Sequence, residues 1–232
     1  MLKNKLVDAL MSVVLVISFV VGLRLVNSKS EDDEYVYVAM GDFLTSVEGS
    51  YSDVYRSNHK IDKYNKFLSR KSMTSSDLLR FLTVNASIVY DGVNMSLSKV
   101  ISMSDIITIS VGYNDVMNNV RYNSITNQYV YDETLVDRVL SSLQSNIYDI
   151  ASQIYEYNSK ADVYVLSSYY PYPSVDNTAE ELYVSLNNSI KEACEDSGAK
   201  YVDIEGVSVI EHFDEDFIPN VIGMGYIADV IK

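Results

Sequence analysis

Strongly apolar runs of strand length alternate along this chain with longer segments of helical periodicity. The apolar runs are residues 35–40, 106–112, 162–170 and 200–206. The helical segments are residues 75–82, 132–158, 178–198 and 224–232. A strand that is apolar throughout must be covered on both faces, and strands that alternate with helices pair in parallel. The sequence therefore predicts an α/β fold with three layers, α/β/α, around a central and mostly parallel sheet.

The N-terminal segment, residues 1–28, has the pattern of a membrane anchor. Lys3 and Lys5 precede an uncharged run from Ala9 to Leu23. We expect a transmembrane helix with its N-terminus inside the cell and the body of the protein extracytoplasmic. A signal peptide, whose cleavage would leave a secreted protein, and a buried core helix are the alternatives.

The rest of the chain is predicted to be a short polar tether, residues 29–34, and one domain, residues 35–232. Residues 47–71 are polar and receive no assignment. The chain carries a net charge of −14, and residues 1–30 hold four basic side chains and one acidic one, so the remainder is near −17. Such a surface repels phosphate backbones, which excludes nucleic acid as an expected partner. The single cysteine, Cys194, is expected to be a small buried side chain.

Two of the predicted strands end in polar turns. Gly41-Asp42-Phe43-Leu44-Thr45 follows the first strand, and Gly112-Tyr113-Asn114-Asp115 follows the second. The carboxyl ends of parallel strands meet at one edge of a sheet, where sites commonly lie. We expect Gly41, Asp42, Asn114 and Pro219 to converge there.

With two further stretches, these turns resemble the motifs of the SGNH, or GDSL-type, hydrolase family. The family has Gly-Asp-Ser-x-Thr after the first strand, Gly-x-Asn-Asp after a later one, and Asp-x-x-His-Pro-Asn before the last helix. Here "KSMTSSDLL" has Ser72 in the place of a family glycine, and residues 215–220 read Glu-Asp-Phe-Ile-Pro-Asn. The resemblance covers nearly all of residues 36–231 and implies the flavodoxin-like SGNH hydrolase fold.

The resemblance also implies which positions would carry catalysis. In the family, the serine attacks an ester carbonyl, the histidine takes its proton and the aspartate orients the histidine, while two backbone N–H groups and the asparagine hold the oxyanion. The equivalent positions here are Asp42, Phe43, Ser72, Asn114, Glu215 and Ile218. Phenylalanine has no lone pair for attack and isoleucine cannot move a proton. The sequence therefore predicts an inactive member in which Phe43 packs with Ile218.

Other residues could supply the missing chemistry from new positions. Thr45 or Ser46 could attack, and His59 or His212 could act as the base, although turn and surface roles explain these four residues more simply. The acidic run 214–216 is expected to be solvated, and no metal or cofactor is expected.

The sequence thus favours a membrane-anchored, extracytoplasmic protein of a bacterial cell. Asp42, Asn114 and Asp115 are the candidate binding residues, and the ligand would be an envelope glycan, lipid or protein. An active, lipase-like esterase with relocated residues is the alternative, and a structural envelope component without a concave site is the third possibility.

Overall fold

The computed structural model describes residues 35–123, 125–126, 128–170, 177–213 and 218–232. Residues Tyr35–Lys232 form a compact unit. The predicted membrane segment and tether lie outside the described residues. Within the described ranges, no helix combines the length and apolar character needed to cross a membrane.

A five-stranded parallel sheet forms the centre of the described fold. In chain order, the strands are β1 (Val36–Gly41), β2 (Lys63–Ser69), β3 (Ser87–Tyr90), β4 (Val93–Ser96), β5 (Ile106–Ser110), β6 (Arg121–Asn123), β7 (Gln128–Val130), β8 (Asp162–Leu166) and β9 (Lys200–Val202). The sheet has the order β2-β1-β5-β8-β9, and each of its pairings is parallel. Antiparallel hairpins are formed by β3 with β4 and by β6 with β7. The predicted α/β class and parallel sheet are confirmed.

Helices cover both faces of this sheet. They are α1 (Phe43–Ser46), α2 (Tyr51–Asn58), α3 (Ser75–Thr83), α4 (Leu97–Met103), α5 (Tyr113–Met117), α6 (Glu133–Tyr157), α7 (Asn177–Ser197) and α8 (Val221–Val230). Successive side chains of β1 point to opposite faces of the sheet. Val38 belongs to the core under α3, α4, α6 and α7. Tyr37 belongs to the core on the other face, under α2 and α8. The interior strands are therefore mainly apolar, because they have a core on both sides.

The predicted elements differ from the observed ones mainly at their ends. The strand predicted over 106–112 ends at Ser110, and the strand predicted over 162–170 ends at Leu166. The last helix begins at Val221, because the Asn220 side chain accepts hydrogen bonds from the backbone of Ile222 and Gly223 and caps it.

The unassigned segment 47–71 contains α2 and the edge strand β2. β2 pairs with only one neighbour, β1, and its sequence, KYNKFLS, is largely polar, so it lacks the apolar signal of an interior strand. Cys194 is buried as expected, and burial raises the pKa of its thiol to about 12.

Candidate functional site at the carboxyl edge of the sheet

The Gly41-Asp42 turn brings β1 into very close contact with β5. Gly41 has φ +139°, and a Cβ at this position would collide with the carbonyl oxygen of Ser110. The Asp42 backbone N–H donates to that same oxygen at 2.8 Å. The turn therefore requires glycine for both its backbone conformation and its contact distance.

Below the turn, Asp42, Thr45 and Ser110 form a buried hydrogen-bonded group, here called the turn network. Asp42 Oδ1 accepts from Ser110 Oγ at 2.9 Å and from the Leu44 N–H at 3.1 Å. Thr45 Oγ1 lies 2.8 Å from Ser110 Oγ. Burial is the largest influence on Asp42 and raises the pKa of its carboxyl to about 7. No motif in the sequence pointed to Ser110, because it is the last residue of a mainly apolar strand.

Above the turn, the side chains are mainly aromatic. Phe43 is half-buried, and its ring meets the rings of Tyr113 and Tyr169 edge-on, with centroids 5.4 and 6.2 Å away. Tyr169 in turn lies 5.3 Å from Phe213. We call these four residues the aromatic rim. Phe43 and Ile218 both pack against the core cluster under α2 and α8.

Asn114 has its amide group occupied by backbone carbonyls. Its Nδ2 donates to the carbonyl oxygens of Lys71 and Met73, each at 2.9 Å. A side-chain amide nitrogen carries two hydrogens, so both are used. Asn114 thereby ties α5 to the turn after β2, and Ser72 lies exposed in that turn.

Asp115 joins the same loops through a second contact. Its carboxylate accepts from the Ser75 N–H at 2.9 Å and from Ser75 Oγ at 2.6 Å, at the start of α3. Asn146 Nδ2 donates to Ser75 Oγ at 3.0 Å. Partial burial raises the pKa of Asp115. Together, Asn114 and Asp115 position loops, and neither Ser75 nor Asn146 could be identified from a sequence motif.

Gly41, Asp42 and Asn114 lie at the carboxyl ends of the neighbouring strands β1 and β5. Asp42 bonds the last residue of β5, and Asn114 lies in the first turn of α5, which follows β5 directly. Pro219 forms a bridge with Phe213 of the aromatic rim. Glu215 and the acidic run 214–216 lie outside the described residues.

The two histidines lie in other hydrogen-bonded environments. His212 Nδ1 is 3.0 Å from the Val207 carbonyl oxygen, and His59 Nδ1 is 2.9 Å from that of Tyr55. Ser46 Oγ makes a long contact of 3.5 Å with the Phe43 carbonyl oxygen. In the part of the chain that the structure describes, neither histidine hydrogen-bonds a serine or threonine hydroxyl.

The sequence profile of the GDSL-like lipase/acylhydrolase family matches residues 37–224. The chain therefore belongs to this family. No curated protein matches the chain significantly.

Solved structures of family enzymes share the fold. A lipase from a goat rumen metagenome has a TM-score of 0.67 at 19% sequence identity, and the match covers 85% of this chain and 95% of the lipase chain. The acetylxylan esterase Axe2 from Geobacillus stearothermophilus has a TM-score of 0.56 at 12% sequence identity, and the match covers 84% of this chain and 91% of the esterase chain. An extracellular lipase from Streptomyces rimosus has a TM-score of 0.54 at 15% sequence identity, and the match covers 75% of this chain and 81% of the lipase chain. Identities this low establish the fold alone.

Proposed function

We propose that this chain is a catalytically inactive member of the GDSL family that acts by binding. The observation that carries the proposal is Phe43, which occupies the family's nucleophile position as the first residue of α1. Its ring contacts Tyr113 and Tyr169, so a benzyl group with aromatic neighbours stands where the family has a hydroxyl.

Two further contacts support the loss of ester hydrolysis. Ile218, at the position of the family's base, packs against the same core cluster as Phe43. Both amide hydrogens of Asn114 are committed to the carbonyl oxygens of Lys71 and Met73. An oxyanion donor contributes about 10²–10³-fold to the rate, and Asn114 cannot supply one without leaving these partners.

The setting we propose is the outer face of a membrane, with residues 1–28 as anchor. The motive is Lys3 and Lys5 before an uncharged run. The ligand would be an envelope glycan, lipid or protein. Protease added to intact cells should digest the body of an epitope-tagged chain, and complete protection would contradict this orientation.

The catalytic part of the proposal is tested by ester hydrolysis. The purified chain in detergent should not hydrolyse p-nitrophenyl acetate or butyrate above the buffer rate. Phe43→Ser alone and Ile218→His alone should also be inactive, because a nucleophile and a base are useful only together. General-base catalysis is worth about 10²–10⁴-fold, so the double variant, with Glu215→Asp and Ser72→Gly added, is expected to gain a measurable rate.

The alternative, an esterase with relocated residues, makes the opposite prediction. Wild-type activity that survives Phe43→Ala and disappears on Ser46→Ala or His212→Ala would establish it and overturn the proposal.

A further inference from the structure

A crevice of about 200 Å³ lies between α7 and the turn that follows β9. It is separate from the family's catalytic positions, since Phe43, Asn114 and Ile218 do not line it. We call it the acidic crevice, and its lining residues are Tyr170, Glu180, Tyr183, Val184, Asn187, Glu205 and Ser208.

A buried asparagine holds one carboxylate at the wall of this crevice. Asn187 is 5% exposed, and its Nδ2 donates to Glu205 Oε1 at 2.8 Å and to the Ser168 carbonyl oxygen at 3.0 Å. Its Oδ1 accepts from the Ser168 N–H at 2.8 Å. Every polar atom of the Asn187 side chain is therefore bonded, and one of these bonds holds an oxygen of the exposed Glu205. Among the described residues, the second oxygen of Glu205 has no hydrogen-bond partner.

A buried hydroxyl on the same turn has no partner within the protein. Ser208 Oγ is shielded from solvent and has no hydrogen-bond partner among the described residues, while the Ser208 N–H donates to the Glu205 carbonyl oxygen at 2.9 Å. Leaving such a group unpaired costs about 1–3 kcal/mol, and buried polar atoms in native proteins are normally satisfied by protein, water or ligand. Ser208 therefore offers a hydrogen-bonding site to an occupant of the crevice.

Aromatic rings and a second carboxylate also line the crevice. The rings of Tyr170 and Tyr183 lie 5.1 Å apart. Glu180, in the first turn of α7, lies on the same helix face as Tyr183 and Val184, three and four residues later. The lining residues that the structure describes include two carboxylates and no lysine, arginine or histidine.

We propose that the acidic crevice binds an organic ammonium group. This names a binding site for the non-catalytic role proposed above and rests on that role. Glu180 and Glu205 supply the negative charge, the tyrosine faces attract a cation, and Ser208 accepts one N–H. The net charge near −17 on the body increases the local concentration of cations.

A metal ion fits the same walls less well. Within the described ranges, no group of three or more histidine, cysteine, aspartate or glutamate side chains could hold one. Hard cations take six or more oxygen ligands or retain their water, whereas tyrosine faces and Val184 favour the carbon chain of an amine. The ammonium group can come from a small free amine or from a lysine side chain of an envelope protein.

Calorimetric titration with butylammonium chloride tests the proposal on the full chain in detergent. We expect saturable binding with a dissociation constant on the order of millimolar, as is usual for so small a ligand. Butanol, which has the same carbon chain without the charge, should not bind. Nα-acetyl-lysine amide distinguishes the sources: binding as tight as that of butylammonium indicates a lysine side chain, and absence of binding indicates a free amine.

The variant Glu205→Gln removes the charge and keeps an oxygen that can accept from Asn187, so the fold should persist. It should weaken butylammonium binding by on the order of tenfold, the usual value of one charge-assisted hydrogen bond. Glu192→Gln, on the same helix but outside the crevice, removes the same charge and should change binding less than about twofold, since exposed charges are screened. Ser208→Ala should weaken binding by several-fold.

Absence of saturable butylammonium binding, or equal loss in Glu205→Gln and Glu192→Gln, would overturn the inference. If either result is found and the wild-type chain does not hydrolyse esters, the proposed loss of catalysis still stands. Ammonium binding by a chain that hydrolyses esters would instead preserve the crevice and overturn the inactive assignment.

Discussion

The turn network and the aromatic rim occupy the same edge of the sheet, and they differ in how closely the surrounding structure constrains them. In the turn network, Asp42 and Ser110 are nearly inaccessible and joined by hydrogen bonds with definite partners. In the rim, Phe43 and Phe213 are half-buried and held by ring contacts. Buried polar groups tolerate few replacements because each must keep its partner, whereas a half-buried apolar site needs mainly volume.

This difference explains why the family motif is preserved in part. Gly41, Asp42 and Thr45 support the β1–β5 junction whether or not chemistry occurs, and Asn114 and Asp115 hold neighbouring loops together. Phe43, which our proposal assigns to the nucleophile position, is half-buried and held by ring contacts, so the proposal requires no supporting hydrogen bond at that position.

The largest effect is expected from Gly41→Ala. The added methyl group would collide with the Ser110 carbonyl oxygen at φ +139°, and we expect a loss of more than about 3 kcal/mol in the free energy of unfolding. Urea titration followed by circular dichroism measures it. Gly49 also has a positive φ, +69°, but a Cβ added there would meet no atom within 4 Å. Gly49→Ala should therefore lower the free energy of unfolding only through the strained backbone conformation, by about 1 kcal/mol. Equal losses in both variants would contradict the role of the close contact.

The next effect is a pH dependence that comes from Asp42. Its folded pKa is raised from 3.8 to about 7 by burial, so its stabilising contribution is fully present below about pH 4 and lost as the pH rises through about 7. Between about pH 5 and pH 8 the contribution should fall by about 2–3 kcal/mol. Asp42→Asn keeps an oxygen acceptor and cannot titrate. The stability of wild type minus that of Asp42→Asn should therefore decrease over this range, and a flat difference would contradict the prediction.

Ser110→Ala removes the donor to Asp42 while the Gly41 contact with the backbone persists. We expect a loss of about 1–3 kcal/mol, because Asp42 and Thr45 each lose a buried partner. Ser102→Ala is the matched control: that hydroxyl donates to the Lys99 carbonyl oxygen on the exposed face of α4, and its removal should cost less than about 0.5 kcal/mol.

The smallest effect is expected from Phe43→Leu in the aromatic rim. Leucine keeps an apolar side chain of similar volume against the same core cluster, so the loss should be below about 1.5 kcal/mol. A loss greater than that of Ser110→Ala would show that the rim is as closely specified as the turn network, and the comparison between the two regions would fail.

The predicted fold depended on signals that are local in sequence. Apolar runs and helical periodicity identified β1, β5, β8 and β9 because these strands have a core on one or both faces. The β3–β4 and β6–β7 hairpins gave no comparable signal, since their strands are short and several of their apolar residues, including Val89, Val93 and Tyr122, are exposed. The extra residues predicted for β5 and β8 arose because apolar character continues into the loops after both strands.

The sequence by itself determined the family and the alternation of the main apolar strands with the longer helices, because these are properties of short motifs and of periodicity. Only the tertiary structure decided which partners those residues have. It joins Asp42 to Ser110 across 68 positions and Asn114 to Met73 across 41, and it aligns Glu180 with Glu205 around one crevice. Such contacts follow from how parallel strands and their loops pack together in space, and no local pattern in the chain encodes them.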